Sequence, residues 1–572
     1  MQGLQAGHKL SFCLVRFPFK PHPRNASLRV MTGTQSANFG FVIDNRKCIG
    51  CHACTVACKS EHDVSIGVNR THVKYIEKGS FPNSTREFSV HRCNHCEDAP
   101  CVEICPTMAL FDRPDGIVDF DNARCIGCRS CMQACPYDAL YIDPNSHTAA
   151  KCNYCAHRVE ANYEPACVIV CPVEAIVSGD LNDPQSKISQ TIATNEVKVR
   201  KAEKNTIPNV FYVETSEEIL SPNAAPQTDS YVWSEQARGV GHFAKYAQDK
   251  LSEHDTDKLI LQLAMEKQAR SGNPQDQRVI ADVMAHMQSD KAEQSRRVYD
   301  APSKGVLWGW QVPAYIWTKA IASGLILVAY MVGLNGIEIA AGDQVKLHLA
   351  SLFFLTATGA LLVHDLDRPD RFLYVLFRPN WSSWLVKGAY IITGFGALSG
   401  LMLVAYYLNY SPPSWMNVLG IIFAVATAVY TAFLLAQAKA RDLWASKLSP
   451  LHMLIHAVVA GSAALLFLAP SSQSHWSKAL LISMALNLLL ILMETYSKHE
   501  TPDARLAAAK MTKGRYGKIF YLGLIGGAVI PIVLLIAPLG ENATLLAAAL
   551  SLAGIYMTEF VRIRTPQLIS LI

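Results

Sequence analysis

Past about residue 305 the mixture of apolar and polar positions gives way to long apolar runs, and these carry no cysteine. Eight of them, at roughly 313–334, 345–364, 385–408, 415–436, 450–469, 477–494, 518–538 and 543–560, approach or exceed the about 20 residues with which a helix crosses a bilayer core. A soluble helical core can hide one or two such runs. Eight in succession predict an all-α transmembrane bundle over 305–572, with 477–494 its shortest member. Trp308, Trp310, Tyr315 and Trp317 cluster where the chain enters it, as interfacial aromatic side chains do. Upstream the pattern is that of a polar α+β domain. Two short β-rich pieces each lead into a cysteine-bearing loop, and a further β-like piece covers Val210–Val213. A polar, largely helical stretch from about 230 to 300 reads as a connector or a docking surface. The expected divisions are an unassigned extension at 1–40, a compact domain at 41–215, a connector at 216–304 and the membrane domain at 305–572. The segment before Met31 has no usable pattern, and Met31 is a candidate start.

Charge predicts orientation. One set of membrane connections carries Arg368, Arg371, Arg378, Lys387, Lys439, Arg441, Lys447, Lys498, Arg505, Lys510, Lys513, Arg515, Lys518, Arg562 and Arg564, whereas the alternate set carries only Lys346 and Lys478. Basic loops stay cytoplasmic. An even number of spans then brings both ends to that side. The expectation is a multi-pass protein of the inner (cytoplasmic) membrane with its polar domain on the cytoplasmic side. The first 30 residues lack the apolar core and cleavage site of an export signal. Export as the passenger of a signal-bearing subunit would reverse this placement. Nothing in the pattern points to nucleic acid.

The cysteines carry the chemistry. Sixteen of the 17 fall into four tetrads: Cys48, Cys51, Cys54 and Cys58; Cys93, Cys96, Cys101 and Cys105; Cys125, Cys128, Cys131 and Cys135; Cys152, Cys155, Cys167 and Cys171. The last three tetrads are each followed by proline, and only Cys13 is left over. Three closely spaced thiolates in a tight loop hold three irons of a [4Fe–4S] cube, and a fourth, three residues on, ligates the neighbouring cube. Four such clusters are expected. Zinc sites close with two Cys-x2-Cys pairs or a histidine rather than this spacing, and a disulfide framework needs an oxidising compartment. FVIDNRKCIGCHACTVAC (41–58) is echoed by IVDFDNARCIGCRSCMQAC (117–135), an internal repeat that implies two ferredoxin-like units with two cubes each. The first and fourth tetrads are expected to pair, as are the second and third. The overall fold expected is a double ferredoxin-like α+β cluster domain followed by the all-α eight-helix bundle.

Ionisable groups within a bilayer are costly and usually functional. Run 345–364 ends in His364, Asp365, Asp367, Arg368, Asp370 and Arg371, a mixture suited to a quinone head group and its protons. The bland alternative is a charged loop that anchors the bundle. His364 and Asp365 are the leading quinone candidates, with Lys319 and Tyr315 beside them; Lys319 could equally snorkel to the interface. His452 and His456 lie one helical turn apart. His364 with His456 could face each other as haem ligands, but His348 has no mate and a haem wire is poorly supported. Glu494 and Glu559, near span ends, read as interfacial, with a place in a proton path as the alternative. Gly394, Gly396 and Gly400 read as helix-packing positions rather than as a nucleotide loop.

The tetrads resemble those of the four-cluster electron-transfer subunits of dimethyl sulfoxide reductase-type molybdopterin oxidoreductases. Asp365-Leu-Asp-Arg-Pro-Asp-Arg-Phe372, with Arg378-Pro379 and Ser382-Ser383, resembles the DLxRPxRF signature of polysulfide reductase (NrfD-like) membrane subunits. The chain looks like a fusion of the two, over about 41–215 and 305–565. The resemblance implies a quinone site, no haem and a separate catalytic subunit carrying a molybdenum or tungsten pterin. The function expected is therefore that of an electron-transfer and membrane-anchor subunit, itself non-catalytic for the terminal substrate, between that partner and the quinone pool in the lipid bilayer. The alternatives are a proton-translocating module and a b-haem anchor.

Overall fold

The computed structural model describes residues 36–79, 85–221, 224–225, 295–299, 304–334, 336 and 339–571. Most of the connector lies outside these residues, as do Cys13 and Met31. The polar domain is built around strand β1 (Phe39–Asp44), in which Phe41, Val42 and Ile43 are wholly buried because both faces of the strand are covered. Strands β2 (Thr71–Lys78) and β3 (Thr85–Arg92) form an antiparallel ribbon. Hairpins β4 (Leu110–Asp112) with β5 (Val118–Phe120), and β6 (Tyr141–Ile142) with β7 (Ala149–Ala150), flank the third tetrad. Strands β8 (Ile176–Asp180), β9 (Val197–Lys198) and β10 (Val210–Val213) complete a sheet of order β8-β1-β10-β9, with β1 parallel to β10 and antiparallel to β8. The β-like reading of 210–213 thus coincides with a strand at the centre of the domain.

One expectation needs correction. Residues 296–299, read as part of a helical stretch, form strand β11 (Arg296–Tyr299), which pairs with the otherwise open edge of β2. Unpaired edge amides are a stronger local demand than weak helical propensity.

Eight helices long and apolar enough to span a membrane follow: α1 (Gln311–Gly333), α2 (Ala341–His364), α3 (Trp384–Tyr407), α4 (Ser414–Gln437), α5 (Ser449–Leu468), α6 (Pro470–Tyr496), α7 (Gly514–Ile536) and α8 (Glu541–Leu568). The sixth run is longer than its apolar stretch suggested, because polar residues such as Gln473 and Ser474 extend its first turn. Helices α1 to α4 form one four-helix set and α5 to α8 another, joined where α1 meets α5 and α8 and where α4 meets α5. Helix α1 is the most enclosed, and its crossing with α5 brings backbone against backbone: a Cβ on Gly324 would lie 1.9 Å from the Ala457 carbonyl oxygen. The glycines singled out in α3 do less. Gly394 and Gly396 face the side chains of Phe423 and Leu355, and Gly400 faces open space. Helix α7 winds as a π-helix over Leu522–Val529, where Gly527 abuts Gly554 of α8.

Candidate functional site

The two halves of the internal repeat build the same loop. Gly50 and Gly127, each directly before the second cysteine of its tetrad, take positive φ (71° and 69°), and the residues after that cysteine, His52 and Arg129, are also left-handed before a short helix begins. Glycine permits this reversal without a Cβ penalty. It also permits close approach: a Cβ on Gly127 would meet Asp367 of the membrane domain at 2.6 Å.

Among the described residues the sixteen cysteines are all free, and twelve of them are buried. Their mutual electrostatics sort them. Burial, and then Cys152, Cys167 and Cys155, push the Cys58 thiol up. Cys48 is raised by burial, then by Cys171 and Cys51. Burial raises Cys101, with Cys135, Cys93 and Cys96 adding to it. Burial likewise raises Cys131, with Cys128, Cys125 and Cys105 adding to it. The structure therefore brings together four groups: Cys48, Cys51, Cys54 with Cys171; Cys152, Cys155, Cys167 with Cys58; Cys93, Cys96, Cys101 with Cys135; and Cys125, Cys128, Cys131 with Cys105. In each, the fourth member comes from the paired tetrad.

These groups fit cubane clusters. Four converging thiols would repel one another as bare thiolates, and a bound metal both removes their protons and balances that charge. Around the last group a cavity is lined by Cys105, Cys125, Cys128, Cys131 and Ala149. The amides of Gly127 and Ala149 donate to Cys125 Sγ at 3.4 and 3.3 Å, and that of Ala175 donates to Cys171 Sγ at 3.3 Å. Arg92 is buried against Phe41, donates from Nη1 to Cys167 Sγ at 3.0 Å, and keeps Nε and Nη2 without a protein partner. Lys151 is wholly buried beside Cys93 and Cys152. Such cations and donors tune a cluster's potential. Sequence reasoning missed both, although each directly precedes the first cysteine of its tetrad. Lys47 and Arg124 hold the same position in the other two tetrads and are exposed, so position alone does not separate the two kinds.

Thiols of neighbouring groups set the order. Cys54 feels Cys167, Cys93 feels Cys152 and Cys131 feels Cys101, which makes a row of four. At one end Cys51 is exposed, beside exposed Ile49 and Val56. At the other, the loop bearing Cys125 and Cys128 is clamped to the membrane domain. Asp367 and Arg368 amides donate to Gly127 and Ile126 carbonyls at 3.3 and 3.2 Å. Arg129 pairs with Asp367. Arg371 donates to the Cys125 carbonyl at 3.2 Å, Asn380 to that of Cys105 at 2.8 Å and Trp308 to that of Cys128 at 3.3 Å. Asp367, Arg368 and Arg371, read as part of a quinone-binding mixture, are thus occupied in anchoring; the bland alternative describes them.

The four quinone candidates separate. His364 is exposed, with its ring 6.4 Å from that of Trp310. Tyr315 and Lys319 are buried in α1, and Tyr315 lies within electrostatic reach of Asp365 and Glu559. Lys319 does not snorkel: its Nζ donates to Ala428 O at 3.0 Å and Thr431 Oγ1 at 2.5 Å, over the Tyr430 ring. Glu559 is likewise not interfacial, being fully buried; Glu494 keeps partial exposure at the end of α6, and both pair with Arg562. His456 is turned to His452 and Glu559 rather than to a facing haem ligand, and His348 contacts Tyr330 and Ser399.

Burial pushes the Asp365 carboxyl from 3.8 up to about 6, opposed by Arg129 and helped by Asp367. Such a group holds its proton more tightly folded than unfolded, so its stabilisation is complete below pH about 4 and lost as pH rises through about 6. Asp365→Asn is expected to flatten the fall in thermal stability across that window. An unaltered pH profile would contradict the assignment.

A row of buried sulfur groups docked at one end on an eight-helix bundle defines an iron–sulfur electron-transfer protein with its own membrane anchor. Residues 85–181 match the model of the 4Fe-4S dicluster domain, and residues 300–570 match that of polysulphide reductase, NrfD. A tetrathionate reductase subunit of Salmonella typhimurium is 40% identical over 211 residues, which cover 36% of this chain and 82% of that protein. A polysulfide reductase subunit of Wolinella succinogenes is 41% identical over 178 residues, 31% of this chain and 93% of that protein. Protein NrfC of Escherichia coli is 40% identical over 191 residues, 32% and 86%. This protein belongs to the same family of iron–sulfur subunits, fused to an NrfD membrane domain. It is a multi-pass membrane protein with an electron-transfer and membrane-anchor role.

Proposed function

We propose that the sixteen cysteines hold four [4Fe–4S] clusters, and that these relay electrons between a molybdopterin-bearing catalytic subunit and quinone in the bilayer. The observation that carries this reading is the row itself, exposed at Cys51 and ending against the membrane domain through Cys105, Cys125, Cys128 and Cys131. The partner docks at the Cys51 end, where Ile49 and Val56 offer apolar surface. Quinone reacts beside Tyr315, Lys319 and Asp365, near the loops that carry the last group. Cubane clusters pass one electron at a time, so a row of them joins two two-electron sites that do not touch. Covalent fusion keeps the row's exit beside the quinone region at high effective concentration.

The divisions at 41–215, 216–304 and 305–572 are the working domain boundaries. The polar domain lies on the cytoplasmic side. The basic loops on its side support this, although Arg368, Arg371, Lys439 and Arg441 also bind the cluster domain itself. Anaerobic reconstitution is expected to yield about 16 irons and as many acid-labile sulfides per chain, four per cube. Fewer than about 12 irons would contradict four cubes.

A further inference from the structure

Three helices of the second four-helix set enclose a ring of ionisable side chains that no cluster uses. His452 and His456, at i and i+4 on α5, present one face. His452 Nδ1 lies 2.5 Å from Glu494 Oε2 on α6, and His452 Nε2 lies 2.8 Å from His456 Nε2. His456 Nδ1 lies 3.2 Å from Glu559 Oε1 on α8, an ion-pair distance without hydrogen-bond geometry, so that Nδ1 keeps no hydrogen-bond partner. Arg562 closes the ring, 3.2 Å from Glu494 and 3.3 Å from Glu559, and donates to Ser449 Oγ at 2.8 Å. His452, His456, Glu559 and Arg562 are all buried, whereas Glu494 is half-buried at the end of α6.

Counting protons gives the ring a task. It contains three contacts, carboxylate to imidazole, imidazole to imidazole and imidazole to carboxylate, each of which needs one proton. Two neutral imidazoles supply two. Two carboxylates and one guanidinium then leave a net charge of −1 and one contact with lone pairs facing. A third proton satisfies all three contacts and brings the net charge to zero. A buried charge set is costly unless it balances, which favours uptake of that third proton. Glu559 keeps one buried oxygen, Oε2, without a protein partner, and acts electrostatically on both Tyr315 and Lys319 of α1.

We propose that this ring is a proton relay that stores one exchangeable proton and moves it between the quinone region and solvent. The proposal rests on the quinone reading of Tyr315, Lys319 and Asp365. In the direction of quinol oxidation, a quinol O–H breaks and its proton forms an O–H on Glu559. It passes to His456 Nδ1; the proton on His456 Nε2 moves to His452 Nε2, and that on His452 Nδ1 moves to Glu494, which releases it to water. The second quinol proton follows by the same steps once both imidazoles have returned to their starting tautomers, and the two electrons would leave singly for the last cluster when it is bound, so the relay itself is neither oxidised nor reduced. In quinone reduction the same steps run backwards.

The test uses the full chain in its complex, in proteoliposomes, with a short-chain quinol as electron donor and cluster reduction followed optically. Positioned proton-transfer groups contribute about 10²–10⁴-fold. Glu559→Gln and His456→Ala are therefore expected to slow quinol-driven reduction roughly tenfold or more, with an altered solvent deuterium effect. Dithionite-reduced cluster signals should be unchanged, and added imidazole should restore part of the His456→Ala rate. Glu494→Gln, at the half-buried outer end, provides the same readout should the buried variants not assemble. Wild-type rates and isotope effects in Glu559→Gln and Glu494→Gln would overturn the relay while leaving the quinone reading intact. Slowing without any change of isotope effect or imidazole rescue would reduce the ring to a structural element. A wild-type chain inert to quinol would overturn both readings.

Discussion

Cys125→Ser is expected to lose the cluster nearest the membrane, lowering iron from about 16 to about 12 per chain, and to disconnect quinol from the remaining clusters. The Cys125 sulfur accepts two backbone amides and belongs to the group completed by Cys105, Cys128 and Cys131. Loss even of an outer partner of a metal ligand costs about 10–100-fold in metal affinity, and loss of the ligand costs more. The loop is also a joint. Carbonyls of Cys125, Ile126, Gly127 and Cys128 accept hydrogen bonds from the membrane domain, so a collapsed loop loosens the docking of the two halves. Electrons supplied chemically at the Cys51 end should still reduce three clusters. Full iron content with undiminished quinol transfer in this variant would show that the row does not end at Cys125.

Gly324→Val is expected to disrupt assembly of the membrane domain. The nearest atoms to a new Cβ are backbone: Ala457 O at 1.9 Å, Ala457 C at 2.8 Å and Gly461 N at 2.8 Å. From the other side, a Cβ on Gly461 would meet Gly324 C at 2.1 Å. No rotamer change relieves a backbone clash, so helices α1 and α5 must separate along the seam that joins the two four-helix sets. Overpacking of this kind costs about 3 kcal/mol or more. Thermal denaturation in detergent should show a large fall in midpoint. Gly400→Ala, which faces open space in α3, should show none. Equal behaviour of the two variants would contradict the crossing.

What could be read along the chain was whatever is encoded by spacing. The tetrads stand out because ligand loops fix the distance between thiols, and the eight spans stand out because a bilayer fixes their length. Their placement in depth did not follow. Lys319, Glu494 and Glu559 lie near the ends of apolar runs, where a side chain can reach water. Each is instead enclosed by neighbours from other helices or turns: Thr431 and Tyr430 around Lys319, His452 around Glu494, Arg562 around Glu559. Those neighbours are up to 112 residues away in sequence.

The charged segment after α2 misled for the same reason. Asp367, Arg368 and Arg371 are a dense local mixture, but their partners are Arg129, Ile126, Ser146 and Cys125, more than 200 residues upstream. A charge cluster looks available for a ligand only while its distant partner is unseen. The buried cations Arg92 and Lys151 show the opposite case. Their position before a cysteine is visible in the chain, yet two equivalent residues, Lys47 and Arg124, are exposed, and only the packing of β3 and the third and fourth tetrads decides which bases are buried.

The most direct measurement is quinol-driven reduction of the wild-type chain, incorporated in liposomes without oxygen and read by low-temperature paramagnetic resonance. Iron–sulfur signals that grow on addition of quinol, and that Cys125→Ser abolishes under quinol but not under dithionite, are the predicted result. Reduced-cluster signals that appear with dithionite yet never with quinol in the wild-type chain would contradict an electron path from the sulfur row into the membrane.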